Sequence, residues 1–250
     1  SWNTAVGGYA ASSLTSGSDN VAFGLQALEN LSGGSRNIAI GNLSMDGSAG
    51  SENDNLAIGY AALGGSINGG EYNVAIGNYS LDANTSGDEN TAIGYLALTA
   101  NTAGVANVAL GSNALRDNIS GQYNTAIGYR SLRLNTTGIG NNAIGNQSLH
   151  NNNGSYNTAS GHRTLYANTT GSSNTSLGYS AGDLITTGTS NVVIGHDADP
   201  SANNASNQIV IGQNATGQAD NSVVLGNASV TAVYMSQDKG ATAYGATFEA

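Results

Sequence analysis

The apolar positions of this chain recur in one short unit. Asn90-Thr91-Ala92-Ile93-Gly94-Tyr95-Leu96-Ala97-Leu98 returns thirty-four residues later as Asn124-Thr125-Ala126-Ile127-Gly128-Tyr129-Arg130-Ser131-Leu132. With the glycine as marker, the unit falls at Gly7, Gly24, Gly41, Gly59, Gly77, Gly94, Gly111, Gly128, Gly145, Gly161, Gly178, Gly195, Gly212 and Gly226. Most gaps are 17 residues, a few are 16 or 18, and the last is 14. So short a fixed period predicts a solenoid in which each unit stacks on its neighbours. It is too short for a helix pair, and it fits one coil of a small β-roll with two short strands and two turns.

The residue before the marker is large and apolar in most units, as at Ile40, Ile93 and Ile127. Two residues earlier stands Val or Thr, as at Val74, Thr91 and Val108. Period two puts these on one face of a strand. Between them, on the other face, runs an alanine column: Ala22, Ala39, Ala57, Ala75, Ala92, Ala109, Ala126 and Ala143. An ordinary outward face would carry charge, so the strand is expected to be covered on both sides. The large residues are expected inside, and the alanines are expected against sister chains in a cyclic homotrimer.

Three residues past the marker stands Ala or Ser, and one further stands Leu or Met (Leu28, Met45, Leu63, Leu98, Leu132, Leu149). This reads as a return strand whose Leu closes the core. A polar turn such as Asn135-Thr136-Thr137-Gly138 follows, and glycine recurs seven residues before the next marker, as at Gly104, Gly121 and Gly138. Asn and Gly suit corners that need positive φ. Asn20, Asn37, Asn55, Asn73, Asn90 and Asn107, four before the marker, are expected to stack as a side-chain amide ladder. After Gly178 the closing Leu gives way to Gly182, Asp199, Thr216 and Val230, and the alanine column becomes Val193, Val210 and Val224. That shift reads as the rod widening or repacking. Residues 1–230 form the roll, and 231–250 are expected to add a strand at Val233-Tyr234-Met235 and a transition segment. At about 4.8 Å per coil the rod is roughly 65–70 Å long.

Composition narrows the function. Charged residues are 9% of the chain and the net charge is −10. No basic cluster stands out, so nucleic acid is a poor partner. No apolar run is long enough to span a bilayer. There is no cysteine, so disulfides contribute nothing to stability. The first unit begins at Asn3 without a cap, an open edge that suggests more chain upstream or a processed product.

Units such as Asn191-Val192-Val193-Ile194-Gly195 and Ser222-Val223-Val224-Leu225-Gly226-Asn227-Ala228-Ser229 resemble the head repeats of YadA-like trimeric autotransporter adhesins. The final 14-residue spacing matches their coil, and the resemblance covers about nine-tenths of the chain. It implies a left-handed parallel β-roll trimerised about a threefold axis. The 17-residue coils with a Thr/Gly turn look more like bacteriophage tail fibres and related bacterial fibres. The segment Val230 to Asp238 is similar to what precedes a self-cleaving endosialidase-type chaperone domain in such fibres, which implies a chaperone that was removed on maturation or lies outside this sequence.

No catalytic constellation, metal site or cofactor motif is recognisable. His162 and His196 sit one past the marker, two coils apart, too far to share a metal. Asp46, Asp54, Asp88, Glu89 and Asp117 read as solvated turn residues. The post-marker tyrosines Tyr60, Tyr95, Tyr129 and Tyr179 are the candidate ligand-binding column, able to stack on sugar rings or a receptor. Tyr72, Tyr123 and Tyr156 form a second set. The function expected is a structural and adhesive segment of an extracellular homotrimeric fibre, on a cell surface or a virion, that binds a host receptor or glycan multivalently. The alternatives are a polysaccharide-active β-helix enzyme and an ice-binding solenoid built on the Thr pairs Thr136-Thr137, Thr169-Thr170 and Thr186-Thr187.

Overall fold

The structure is a computed structural model that describes residues 2–48 and 50–233. Fourteen strands of three residues each, from Thr4–Val6 to Val223–Leu225, form one parallel sheet in strict chain order. Each strand lies one coil above the last, so like residues stack on like: Ala92 on Ala109, and Ala109 on Ala126. The chain is a parallel β-solenoid. Residues 231–233 carry no strand, and the rest of the expected C-terminal strand lies outside the described residues.

The strand faces are the reverse of the sequence expectation. Ala39, Ala57, Ala75, Ala92, Ala109, Ala126 and Ala143 are all 0% exposed within the single chain, as is Ala22 at 1%. They line the interior and leave no surface for a partner, so the assignment of this column to a trimer interface is corrected. The reason is volume. The opposite wall already supplies Leu28, Leu63, Leu98, Leu115, Leu132 and Leu149, all fully buried, and across so thin a coil only a methyl group fits. The larger residues are turned out. Ile40 is 38% and Leu110 43% exposed, and Ile93 and Ile127 are half-buried.

The return half is not a strand. Residues two and four past the marker take left-handed conformations, as at Leu96 (φ 55°) and Leu98 (φ 53°), or Arg130 (φ 54°) and Leu132 (φ 51°). No Val, Ile or Thr has positive φ among the described residues, because β-branching makes that region costly. Each turn is tied to the coil above instead; the amide of Leu115 donates to Ser131 O at 2.9 Å, and that of Leu132 to Ser148 O at 2.9 Å.

The two glycines of a coil serve different purposes. The marker Gly94 has φ 136°, and a Cβ there would lie 2.7 Å from the Gly111 carbonyl carbon one coil up. Gly121, before the next marker, has no positive φ; a Cβ there would collide with Asn118 Oδ1 and stand 2.8 Å from Asn135 Nδ2. Close approach rather than dihedral freedom selects that glycine.

The expected amide ladder is present and buried. Asn124 donates its backbone N–H and its Nδ2 to Asn107 Oδ1 at 3.0 and 3.1 Å, and its Nδ2 also to Gly138 O at 2.9 Å. Asn141 repeats the pattern on Asn124. A second ladder runs beside it. Asn101 donates to Asn84 Oδ1 at 3.0 Å, and Asn118 to Asn101 Oδ1 and Asn135 to Asn118 Oδ1 at 2.9 Å each. Towards the C-terminus, where the return side loses its leucine, the inner strand residue grows to Val193 and Val210, both 0% exposed. Isolated parallel bridges Thr189 to Ser206 and Asp199 to Thr216 then join the coils on the return side. The shift is a repacking in which the strand wall takes up volume lost from the return wall.

Two substitutions test this packing. Ala126→Leu forces three extra carbons into a filled coil and is expected to cost at least about 1–3 kcal/mol. Asn124→Ala orphans the buried Asn141 backbone N–H, at roughly 1–3 kcal/mol, while the Gly138 carbonyl keeps its bond from Asn135 Nδ2 at 3.1 Å. Hydrogen exchange should then speed up at Asn141; unchanged protection there would contradict the ladder's role.

Candidate functional site

The residue after the marker leaves the strand and points outward, so its column is exposed by construction. Tyr60, Tyr95, Tyr129 and Tyr179 are all more than 40% exposed. They do not form one ladder, because the intervening coils carry other residues. Tyr60 and Tyr95 sit two coils apart and are joined through Tyr79, which stands two past its own marker. The Tyr60–Tyr79 centroid distance is 5.3 Å and Tyr79–Tyr95 is 6.4 Å, both edge-to-face. Tyr179 lies between His162 and His196, with near-parallel rings at 5.1 and 5.0 Å. The two histidines therefore serve a three-ring stack, and His196 Nδ1 also lies 3.1 Å from Asp197 Oδ2.

Tyr129 belongs to a third group, where aromatic and cationic side chains alternate. The Arg130 guanidinium carbon lies 4.8 Å from the Tyr129 ring centre. The Arg163 guanidinium carbon lies 4.5 Å from that of Tyr166, and Tyr166 stacks on His150 at 5.2 Å. Burial, and then the charges of Arg133 and Arg130, push His150 below the usual imidazole range against an opposing hydrogen bond with Asn151. The ion pairs formed by arginine among the described residues are Arg36 with Asp54 and Arg116 with Asp117, each at 2.6 Å. None of Arg130, Arg133 and Arg163 has a carboxylate oxygen within ion-pair distance among those residues, although Arg163 acts electrostatically on Asp183, and the Nε atoms of Arg130 and Arg133 are buried without an acceptor.

The sequence reading found no basic cluster because it followed the apolar columns. From Asn118 to Gly182 the chain contains three arginines and no Asp or Glu. The solenoid period then brings Arg130, Arg133 and His150 within electrostatic range. Tyr79, Tyr166 and the arginines were legible only by aligning positions two and five past the marker.

The acids fill structural places. Asp54 is held below the usual carboxylate range by its hydrogen bond to Arg36, and Asp88 Oδ1 accepts from the Glu71 amide at 2.8 Å. Burial pushes Asp46 upward, so it is not the freely solvated turn residue expected, and burial does the same to Asp82. The first threonine of each pair, Thr136, Thr169 and Thr186, spends its hydroxyl between coils, while Thr137, Thr170 and Thr187 are exposed. Thr85 Oγ1 donates to Thr102 O at 2.7 Å, Thr169 Oγ1 to Thr186 O at 3.0 Å, and Thr136 Oγ1 to Asn153 Oδ1 at 2.9 Å. No group of three or more His, Asp or Glu able to hold a metal occurs among the described residues.

Asp199 gives a pH test. Burial, with Asp183 and Asp197 nearby, raises its carboxyl from 3.8 to about 6, against an opposing hydrogen bond from the Leu184 amide. The folded chain then binds the proton more tightly than the unfolded one, so stability falls as pH rises through that 3.8-to-6 window. Asp199→Asn should flatten the fall, seen as a smaller drop in melting temperature across the window. An unchanged slope would remove Asp199 as its source. No protein-family model matches the chain, and no curated protein sequence matches it.

Proposed function

We propose that the chain is a structural and adhesive segment of an extracellular homotrimeric fibre, of the bacteriophage tail-fibre or bacterial surface-adhesin kind, that binds a host receptor or glycan through repeated weak sites. The observation that carries this reading is the outward face of the sheet. Parallel sheets are ordinarily covered on both faces. Here Phe23, Ile40, Leu110 and Ile211, at the ends of their strands, belong to an apolar column along the rod, and on the same face the strand starts mix Val21, Ile38, Val108 and Ile209 with Thr91, Thr125, Asn142, Thr158 and Thr175. A run of this length calls for a matching surface of the same pitch, and another copy of the chain supplies it. Three chains around a common axis close the contact and leave the aromatic positions past the marker to face a ligand. Multivalency then raises the avidity of weak sites, since three copies act together.

Light scattering on the purified chain tests the assembly. The expected mass is three times the 24.9 kDa of one chain. Val108→Asp combined with Leu110→Asp places charge in the contact without touching the buried alanines, and is expected to yield the single-chain mass with the coil intact by circular dichroism. A wild-type chain that stays at 24.9 kDa at micromolar concentration would contradict the trimer.

A further inference from the structure

The geometry points to a binding site for an acidic saccharide, a sugar bearing carboxylate groups, built by Arg130, Arg133, Arg163, Tyr129, Tyr166 and His150. This deepens the adhesive reading above and rests on it.

The charge balance is the first support. The chain carries −10 overall, yet from Asn118 to Gly182 Arg130, Arg133 and Arg163 occur with no acidic residue, and the acids that reach the cluster from its two ends are Asp117, near His150, and Asp183, near Arg163. A cationic island on an anionic rod attracts a small anion locally while the rod repels extended polyanions. The second support is unspent bonding capacity. The buried Nε atoms of Arg130 and Arg133 lack an acceptor. The Nε atoms themselves are sealed from a ligand, but the two side chains are half-buried, and a planar carboxylate is the acceptor that the outer guanidinium N–H groups match. The third support is shape chemistry. Arg130 lies over Tyr129, and Arg163 over Tyr166, which in turn stacks on His150. The ring faces and edges left open by these contacts take the apolar C–H face of a pyranose, and the adjacent guanidinium groups take its acid.

The Tyr129–Arg130 pair and the Arg163–Tyr166 pair sit two coils apart, about 9.6 Å along the rod. That is close to the length of two sugar units, and it suits a short oligosaccharide lying along the rod. The other aromatic groups are different. The Tyr60–Tyr79–Tyr95 cluster has no arginine in its rings' contacts, and the His162–Tyr179–His196 stack stands beside Asp197. Neither offers a carboxylate partner of the same kind.

Calorimetric titration of the assembled full chain tests the site with three probes: trigalacturonate, neutral maltotriose and oligothymidylate. Trigalacturonate should bind at least tenfold more tightly than either of the others. Arg130→Gln combined with Arg133→Gln should weaken it at least tenfold, while Arg36→Gln, in a distant ion pair, should leave it unchanged. Light scattering on each variant should give the wild-type mass. Equal affinity for maltotriose would overturn the acidic class and leave the adhesive reading standing. Tighter binding of oligothymidylate would overturn the saccharide in favour of a nucleic acid. Trigalacturonate binding that survives the double substitution would place the ligand elsewhere. A wild-type chain that forms its trimer but binds no trigalacturonate sinks the site without touching the fibre, whereas a single-chain mass sinks the fibre itself.

Discussion

In-register stacking governs this molecule. Each coil adds its residues directly above those of the last, so every side chain meets a neighbour from the corresponding position about 4.8 Å away. Two like unit charges at that spacing repel by about 1 kcal/mol even in water, and by more near a protein surface. A long column of Lys or Glu would therefore accumulate repulsion, which accounts for the 9% charged content. Asparagine reverses the sign, because its amide donates to the copy below while its carbonyl accepts from the copy above. The ladders through Asn107, Asn124 and Asn141, and through Asn101, Asn118 and Asn135, convert the same constraint into continuous hydrogen bonding inside the rod.

The core is a compromise between strain and burial. Each closing Leu is fully buried but sits at positive φ, as at Leu115 (φ 50°) and Leu149 (φ 50°). The left-handed region costs roughly 1–2 kcal/mol, against about 1.5–3 kcal/mol for burying the side chain. One coil gains little from this exchange alone. Stability comes from repetition, as hydrogen bonds between neighbouring coils and a shared core add along the stack. The return wall fixes the size of what can face it, and so it sends alanine inward and isoleucine outward.

Most of the architecture was legible in the sequence. The period, the buried Leu column, the Asn20-to-Asn107 ladder and the strict parallel order all follow from spacing. The strand polarity was not, because period two places Ala92 and Ile93 on opposite faces without saying which face is interior. That depends on the volume of the opposite wall, which is a property of the closed coil. The return half was misread because Leu and Ala at alternate positions suit a strand; the absence of β-branched residues at Leu96, Leu98, Arg130 and Leu132 was the signal for left-handed turns. The post-marker tyrosines are exposed but fall into separate groups, because their ring partners Tyr79, His162 and His196 come from neighbouring coils. The arginine cluster emerged from columns that carry no repeated residue type.

Assembly and adhesion both depend on which side of the strand meets other chains. Because the chain has no cysteine, single thiols can report that side directly. Ile127→Cys and Ala126→Cys, treated separately with a bis-maleimide under native conditions, should differ: the thiol at position 127 is expected to link chains, and the one at 126, sealed in the coil, is expected to remain unreacted. Linkage through position 126 with none through 127 would contradict the outward apolar face on which the trimer depends.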